Sequence, residues 1–450
     1  MAQPPVTTAE MARSHRLRAH HLAAPLPPGA YCEAAAACGL QNSPPGAFET
    51  ALFARVQGAS PAGIRRALYE EKSLLQAWSL RGAPAVFPTR DSDVFLCALQ
   101  GAHSEQPWVY TRGIGLALGR LSMTVQQLWP LVRGAAQQCL GRQAIVGKPA
   151  LDAAVAALVL PQLPVEKQPV WNSPSPYGRP DVQTLGGAVA SFLLRPCAFE
   201  RLVVFGRRQG ALPVFTSPEA WLGAPLPPPR PDAALRLARR FVHCYGPTTP
   251  AAFQSWLGAS PAQARRMWAA VAPETRPVSL AGRTAYVLAQ DMPGLLAAAP
   301  AQPQLLLLGP HDPYLDVHGP REKALLLPDA ARHKAVWQTV SNPGVLLQAG
   351  AVAGVWRQSA QGKGLALRFT LFAPLSSAGR AQVQALAQRY AAFRGQPLAA
   401  CTLEEYYTIC IFYTFCIIFL PGRHTGQKNT KKCACILVTL PPCRLAQNGV

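Results

Sequence analysis

The sequence has few acidic residues and no long apolar run. Only 14% of its 450 residues are charged, and 43 basic residues against 22 acidic ones give a formal net charge of +21 at pH 7. No apolar run within residues 1–400 approaches the roughly 20 residues that a membrane-spanning helix needs. The polar N-terminal stretch is not followed by the apolar segment of a signal peptide. These absences predict a cytoplasmic protein with no membrane partner.

Metal-ligand spacing and the common enzyme motifs are also missing. The cysteines of residues 1–400 are scattered, at Cys32, Cys38, Cys97, Cys139, Cys197 and Cys244. His15, His20 and His21 have no carboxylate or cysteine at ligand spacing, so we expect surface or phosphate-facing residues. We find no phosphate-binding P-loop, no His-Glu-x-x-His motif and no nucleophile-elbow serine. The sequence predicts reduced cysteines, no metal and no cofactor.

The excess positive charge is mostly arginine, and it favours a nucleic-acid partner. The planar guanidinium group binds phosphates and base edges bidentately. A chain this basic is typical of proteins that bind nucleic acid or, less often, an anionic membrane surface. The alternative explanation is a GC-rich genome, which raises arginine and alanine throughout a protein.

Residues 230–292 have the pattern of two capped helices followed by a hairpin. Thr249 and Ser260 each precede a proline at a predicted helix start. Two short predicted strands follow, Arg276–Leu280 and Thr284–Leu288. Helix, tight turn, helix and hairpin is the order of a winged helix, whose second helix enters the major groove of DNA.

Two pairs of arginines stand where such modules contact DNA. Arg265 and Arg266 lie on the outer face of the predicted second helix, where they would contact phosphates or base edges. Residues 116–223 resemble a second copy of the module, with Arg207 and Arg208 at the tip of its predicted hairpin. An ordinary solvated hairpin remains the alternative for that tip.

The whole chain is predicted to be mainly α with small β-hairpins and sheets, an α+β protein with tandem winged-helix domains. The predicted parts are an N-terminal helical region (8–115), a winged-helix-like module (116–223), a second winged-helix module (230–292), a C-terminal α/β module (303–397) and an atypical tail (402–450). Residues 1–400 contain three isoleucines, and the rest of the chain contains five together with half of the cysteines. We therefore expect the tail to lie outside the fold.

The stretch Gly39–Gly46 is the predicted functional element. Gly39 suits a helix end, and the two prolines at 44 and 45 prevent a helix from continuing. Gln41, Asn42 and Ser43 would then lie on a short constrained turn with their polar side chains fixed in direction. A cap or turn role for the glutamine is the alternative.

Several short motifs carry a resemblance to a known family. They are Gly39-Leu40-Gln41-Asn42-Ser43, Trp78-Ser79-Leu80-Arg81-Gly82, Tyr245-Gly246-Pro247-Thr248-Thr249-Pro250, Trp256-Leu257-Gly258, His311-Asp312-Pro313 and Gly354-Val355-Trp356-Arg357. With these motifs the sequence resembles the AlkZ-like (YcaQ-like) winged-helix DNA-binding proteins over about residues 8–397. Some members of that family are DNA glycosylases.

The resemblance implies catalytic roles for Gln41 and Ser43. The signature of the family is glutamine, an apolar residue, then glutamine or aspartate, so Gln41 matches it whereas Asn42 and Ser43 depart from it. Arg81 and Arg357 belong to two of the motifs and are further candidates for DNA contacts.

The implied activity is hydrolysis of the N-glycosidic bond of alkylated or crosslinked bases in double-stranded DNA by a monomer. The alternative is a non-enzymatic winged-helix DNA binder or regulator with a degenerate catalytic motif.

Overall fold

Helices and short strands alternate along the described chain. The computed structural model describes residues 3–102, 105, 109–178, 181–297, 304–338 and 341–405. The helices are α1 (Ala9–Ala19), α2 (Tyr31–Ala36), α3 (Ala47–Arg55), α4 (Pro61–Arg65), α5 (Ser92–Phe95), α6 (Gly115–Leu121), α7 (Val125–Arg142), α8 (Lys148–Val159), α9 (Gln168–Trp171), α10 (Leu185–Phe199), α11 (Pro218–Leu222), α12 (Ala233–Tyr245), α13 (Pro250–Leu257), α14 (Pro261–Val271), α15 (Met292–Leu296), α16 (Pro320–Leu326), α17 (His333–Val336) and α18 (Ser377–Phe393). The strands are β1 (Val6–Thr7), β2 (Leu40–Gln41), β3 (Leu74–Trp78), β4 (Pro84–Pro88), β5 (Ile145–Val146), β6 (Val204–Phe205), β7 (Val214–Thr216), β8 (Thr275–Leu280), β9 (Arg283–Leu288), β10 (Leu305–Leu308), β11 (Gly344–Gln348), β12 (Ala351–Gln361), β13 (Gly364–Leu371) and β14 (Leu398–Glu405). This mixture of helices and small sheets confirms the α+β prediction.

The helices around residue 250 begin at the predicted side-chain caps. The Thr249 hydroxyl accepts the N–H of Ala252, and the Ser260 hydroxyl accepts that of Gln263. Each cap satisfies a backbone donor that has no partner within its helix, and the proline that follows needs no such partner. The predicted order of two helices and a hairpin is therefore present.

The hairpin of β8 and β9 has an additional strand. Its tip, Ala281 and Gly282, adopts positive φ at both positions, the geometry that matches the twist of a two-residue hairpin. Strand β1 pairs in parallel with β8, with Val6 opposite Ser279. The sequence did not predict this third strand, because a two-residue strand has no measurable periodicity.

A five-stranded sheet forms the C-terminal part of the described chain, in the order β10-β11-β12-β13-β14. Strand β14 runs parallel to β13 and follows the crossover helix α18. The predicted boundaries of the C-terminal module at 397 and of the tail at 402 are therefore too early, because β14 continues to Glu405. The rest of the predicted tail lies outside the described residues.

One hydrophobic core joins the N-terminal segment to this sheet. Leu40 of β2 and Leu52 of α3 belong to the same buried cluster as Leu346 of β11 and Phe369 of β13. The segment that contains Gln41 is therefore held between two parts of the chain that are distant in sequence.

Two expectations for the N-terminal histidines are wrong. His15 is 5% exposed and His20 is fully buried, so neither is a surface or phosphate-facing residue. Helix α1 packs against α12, α15 and α16, which places this face of the helix inside the protein. None of the described helices has the length and apolar character needed to cross a membrane.

Candidate active-site cleft

Strand alternation directs Gln41 into a cleft. Gln41 lies on β2, an edge strand that pairs with β4, and not on a turn as predicted. Side chains of a strand point alternately to its two faces, so burial of Leu40 in the core turns Gln41 outward. Its Nε2 donates a hydrogen bond to the carbonyl oxygen of Ser43 at 3.3 Å, which leaves Oε1 to accept one from a water molecule or substrate.

The side chain that fixes the backbone before α3 is that of Asn42, not that of Gln41. The Asn42 Oδ1 accepts the N–H of Gly46 at 2.6 Å, immediately before α3 begins. Its Nδ2 donates to Oε1 of Gln76 at 3.2 Å, and the side chain is buried. The family pattern has an apolar residue here, and Asn42 is buried with its amide satisfied by Gly46 and Gln76.

The cleft that contains Gln41 has a volume of about 390 Å³, within the range of small-molecule sites. Its polar and aromatic lining residues are Gln41, Arg81, His311, Asp316, His318, Lys323, Trp337, Gln338 and Asn342. Gln41, Arg81, His311 and Asp316 also line a smaller adjoining cavity of about 30 Å³. These four side chains therefore share the inner end of the cleft.

The loop after β10 carries the side chains opposite Gln41. Asp312 is fully buried and forms two hydrogen bonds of 2.7 Å to the guanidinium of Arg55, at the end of α3. Its Oδ1 also accepts the N–H of Tyr314, which fixes the next turn. Asp312 thus anchors the loop, and its neighbours His311 and Asp316 line the cleft. His311 adopts φ 57°, a strained conformation for a residue with a side chain.

The cleft contains a carboxylate that the sequence analysis missed. Asp316 Oδ1 lies 2.9 Å from Nε2 of His318, and both side chains are about 30% exposed. Burial lowers the pKa of His311 below its usual value, although the charge of Asp316 opposes this shift. His311 is therefore neutral at pH 7 and able to accept a proton or hydrogen bond. The only sequence signal was proximity to the His311-Asp312-Pro313 motif.

The Ser43 side chain does not join Gln41 in this cleft. Ser43 is exposed and lines a neighbouring cavity of about 490 Å³ together with Arg357, Tyr390 and Arg394. The two cavities share His311, Asn342 and Pro343 as a common wall. Gln41 and Ser43, the predicted catalytic pair, therefore line two adjacent cavities.

Arg81 and Arg357 each face one of these cavities. Arg81 is exposed, lines the Gln41 cleft and donates to the carbonyl of Ser255 at 2.7 Å. Arg357 is also exposed and donates to Gln338 Oε1 at 3.0 Å.

The arginines of the two predicted DNA-binding pairs have different contacts in the structure. Arg265 is exposed on α14, and no described carboxylate pairs with it. Arg266 forms two hydrogen bonds to the buried carboxylate of Glu105, at 2.6 and 2.9 Å. Arg207 lies 5.3 Å from the centre of the Tyr69 ring, and Arg208 donates to the carbonyl of Ala211. Neither pair lines the Gln41 cleft.

Comparison with known proteins identifies the family. The family model "DNA glycosylase AlkZ-like" matches residues 34–393. The chain is similar in structure to the DNA glycosylase AlkZ of Streptomyces sahachiroi, with a TM-score of 0.66 and 20% sequence identity, over 89% of this chain and 100% of that one. Comparison with curated protein sequences gave no match. Because the family model covers most of the sequence, the chain belongs to the AlkZ-like DNA glycosylase family.

Proposed function

We propose that this protein is a DNA glycosylase that hydrolyses the N-glycosidic bond of an alkylated or crosslinked base in duplex DNA. The observation that carries the proposal is one cleft that unites an available amide oxygen, a carboxylate and an aromatic ring, from Gln41, Asp316 and Trp337. We expect the protein to act as a monomer in the cytoplasm, without a cofactor.

The chemistry requires little acid catalysis. A base alkylated at a ring nitrogen is cationic, so the bonding electrons can leave with the base as the C1′–N bond breaks. The sugar then develops positive charge at C1′, and a water oxygen forms the new bond there. In this proposal Gln41 Oε1 positions the water, and neutral His311 receives its proton.

Asp316 takes the electrostatic role that the family pattern gives to the residue at position 43. Its carboxylate would stabilise the positive charge on the sugar, which a serine hydroxyl cannot do. The hydrogen bond with His318 holds one oxygen of the carboxylate and leaves the other to face the substrate.

The damaged base would stack on Trp337. Glycosylases turn their target base out of the duplex into a pocket with stacking surfaces. Trp337 lines the cleft, and the ammonium group of Lys323 lies 5.2 Å from the centre of its ring. A cationic base could replace Lys323 over this ring and gain the same cation–π attraction.

The DNA duplex would be bound by two winged-helix modules, residues 116–223 and 230–292. Helix α14 presents Arg265, the hairpin of β6 and β7 presents Arg207 and Arg208, and Arg81 and Arg357 lie at the mouths of the cavities. The support is the net charge of +21 and the predicted order of elements around residue 250.

The test is base excision from duplex DNA that contains 7-methylguanine, read as strand breaks after alkali. Gln41→Ala and Asp316→Asn should each reduce the single-turnover rate by about a hundredfold or more. Duplex affinity should remain nearly unchanged, because neither side chain carries positive charge. The matched control is Gln57→Ala, an exposed glutamine outside the cleft. Full activity in both cleft variants would overturn the proposed site.

A non-enzymatic DNA binder is the second candidate, and the position of Ser43 favours it. The family pattern has a longer amide or carboxylate there, and this hydroxyl lines a different cavity from Gln41. If the wild type excises nothing and neither Ser43→Gln nor Ser43→Asp restores excision, the DNA-binding function alone stands. A gain with either variant would show that Ser43 limits an otherwise competent site.

A further inference from the structure

Three metal-ligating side chains converge in the interior from distant parts of the sequence. His20 directly follows α1, Cys38 follows α2, and Cys244 lies near the end of α12. All three are buried, and their ligand atoms lie within 4.8 Å of one another. Spacing in the sequence could not reveal this group, because each ligand comes from a different segment.

The imidazole of His20 has unmet hydrogen-bonding capacity. The residue is fully buried, and neither ring nitrogen has a hydrogen-bond partner among the described residues. Its ring packs edge-on against Tyr245 and Tyr314, at centroid distances of 5.2 and 5.6 Å. A buried polar group without a partner destabilises a fold, so an unpaired imidazole beside two thiols indicates that this site binds a ligand.

The sulfur atoms of Cys38 and Cys244 lie within 4.8 Å of each other. The Sγ atom of Cys244 also lies 3.7 Å from the carbonyl oxygens of Ala19 and Ala37. These contacts are long, so they leave the sulfur available as a ligand.

We propose that His20, Cys38 and Cys244 bind a Zn²⁺ ion. Thiolate and imidazole are the ligands that zinc takes in proteins, at about 2.3 Å for sulfur and 2.0 Å for nitrogen. Binding releases both thiol protons, and two thiolates balance the charge of the ion. The product is an uncharged group, which suits a site beside the buried guanidinium groups of Arg16 and Arg55.

A water molecule can complete the tetrahedron. Cys38 and Tyr245 line the cavity of about 30 Å³ at the inner end of the cleft. This volume holds one water molecule, which needs about 10–15 Å³ of such space.

The ion would fix the segment that leads to Gln41. Cys38 is three residues before Gln41, and the other two ligands belong to the ends of α1 and α12. One ion would therefore tie the approach to β2 to two helices. This inference does not depend on the proposed glycosylase activity.

The test is the metal content of the full-length chain purified in zinc-containing buffer without a chelator. Inductively coupled plasma mass spectrometry should find one zinc per chain. After exchange into Co²⁺, a near-ultraviolet thiolate-to-cobalt charge-transfer band should appear. Cys244→Ser should lose most of the metal and of the band, whereas Cys197→Ser, an equally buried cysteine elsewhere, should keep both.

Measurements on the wild type keep the test decisive if Cys244→Ser does not fold. Chelator treatment should lower its melting temperature, and added Zn²⁺ should restore it. A metal-free wild type that takes up no Co²⁺ would overturn the site. A Cys38–Cys244 disulfide in protein purified without reductant, found by mass spectrometry of its peptides, would overturn it as well.

Discussion

Arg55 and Asp312 face each other through two hydrogen bonds of 2.7 Å, and both side chains are completely buried. The pair joins the end of α3 to the loop after β10. Gln41 lies just before α3, and His311 and Asp316 lie on that loop. This ion pair therefore fixes the positions of the two sides of the cleft relative to each other, although the pair itself lies outside the cleft.

Removal of one member of this pair should be strongly destabilising. Asp312→Asn leaves the guanidinium buried and uncompensated, so we expect the free energy of unfolding to fall by about 3–5 kcal/mol. Urea unfolding followed by circular dichroism measures this change. The control is Arg66→Ala, which removes an exposed partner of Glu71 and should cost less than about 1 kcal/mol. Equal effects of the two variants would contradict this role.

Substitution of Asn42 should lower stability, whereas substitution of Gln41 should lower activity with little effect on stability. Asn42→Ala leaves the Gly46 N–H and the Gln76 amide without a partner, so we expect a loss of about 1–3 kcal/mol in stability. Gln41→Ala removes only one long hydrogen bond and should change stability by less than about 0.5 kcal/mol. Thermal unfolding compares the two variants. If Gln41→Ala unfolds the protein, Gln41 is a structural residue.

Substitutions of two adjacent arginines of α14 should affect different properties, DNA binding for one and stability for the other. Arg265→Ala should weaken duplex binding and reduce the slope of log affinity against log salt by about 1, because one phosphate contact is lost. Arg266→Ala should instead cost about 1–3 kcal/mol in stability, because the buried Glu105 carboxylate loses its partner. Fluorescence anisotropy over a salt series and urea unfolding measure these effects. A salt-independent affinity of the wild type would contradict the phosphate contacts.

Stability should decrease as the pH falls below about 6.5. Burial lowers the pKa of His15 from 6.5 to about 4, so the unfolded chain binds this proton more readily than the folded one. The contribution of His15 to the free energy of unfolding is complete above pH 6.5. It decreases by about 3 kcal/mol as the pH falls towards 4. The raised pKa of His243, caused by its hydrogen bond to Asp291, acts in the opposite direction. The His15→Gln variant retains His243 and should show a flatter stability–pH profile, and an unchanged profile would contradict the prediction.

The end of the folded region can be located by truncation. Residues Met1–Tyr406 form one compact unit, so a chain that ends at Tyr406 should keep a cooperative melt. A chain that ends at Pro397 lacks β14, so β13 becomes an edge strand with unpaired backbone N–H and C=O groups. We expect it to melt at a lower temperature or to aggregate. Equal melting of the two truncated chains would show that β14 is dispensable.

Local patterns predicted the helices well. Hydroxyl caps followed by proline marked the starts of α13 and α14, and helix α18 has the predicted C-terminal residue, Phe393. These signals are short-range, because a cap and its helix are neighbours in sequence. The positive φ of Gly39, shortly after α2, could also be predicted, because glycine adopts this conformation without steric cost.

The arrangement of the cleft could not be predicted in the same way. Gln41 and Asp316 meet because β2 and the loop after β10 share a core, and Ser43 turns into another cavity although it is two residues from Gln41. Arg266 was predicted only as a DNA contact, and its ion pair with Glu105 was not predicted. Such pairings depend on tertiary contacts, so the spacing of residues in the sequence cannot predict them.

The parallel pairing of β1 with β8 affects the order in which the protein can fold during synthesis. The Thr7 hydroxyl donates to the carbonyl of Ser279, 272 residues further along the chain. The first strand therefore leaves the ribosome long before its partner exists, and it must remain unpaired while the intervening helices form. Contacts of such long sequence separation are slow to close. The sheet of β1, β8 and β9 should thus be completed late in folding, after the helices between its strands are already in place.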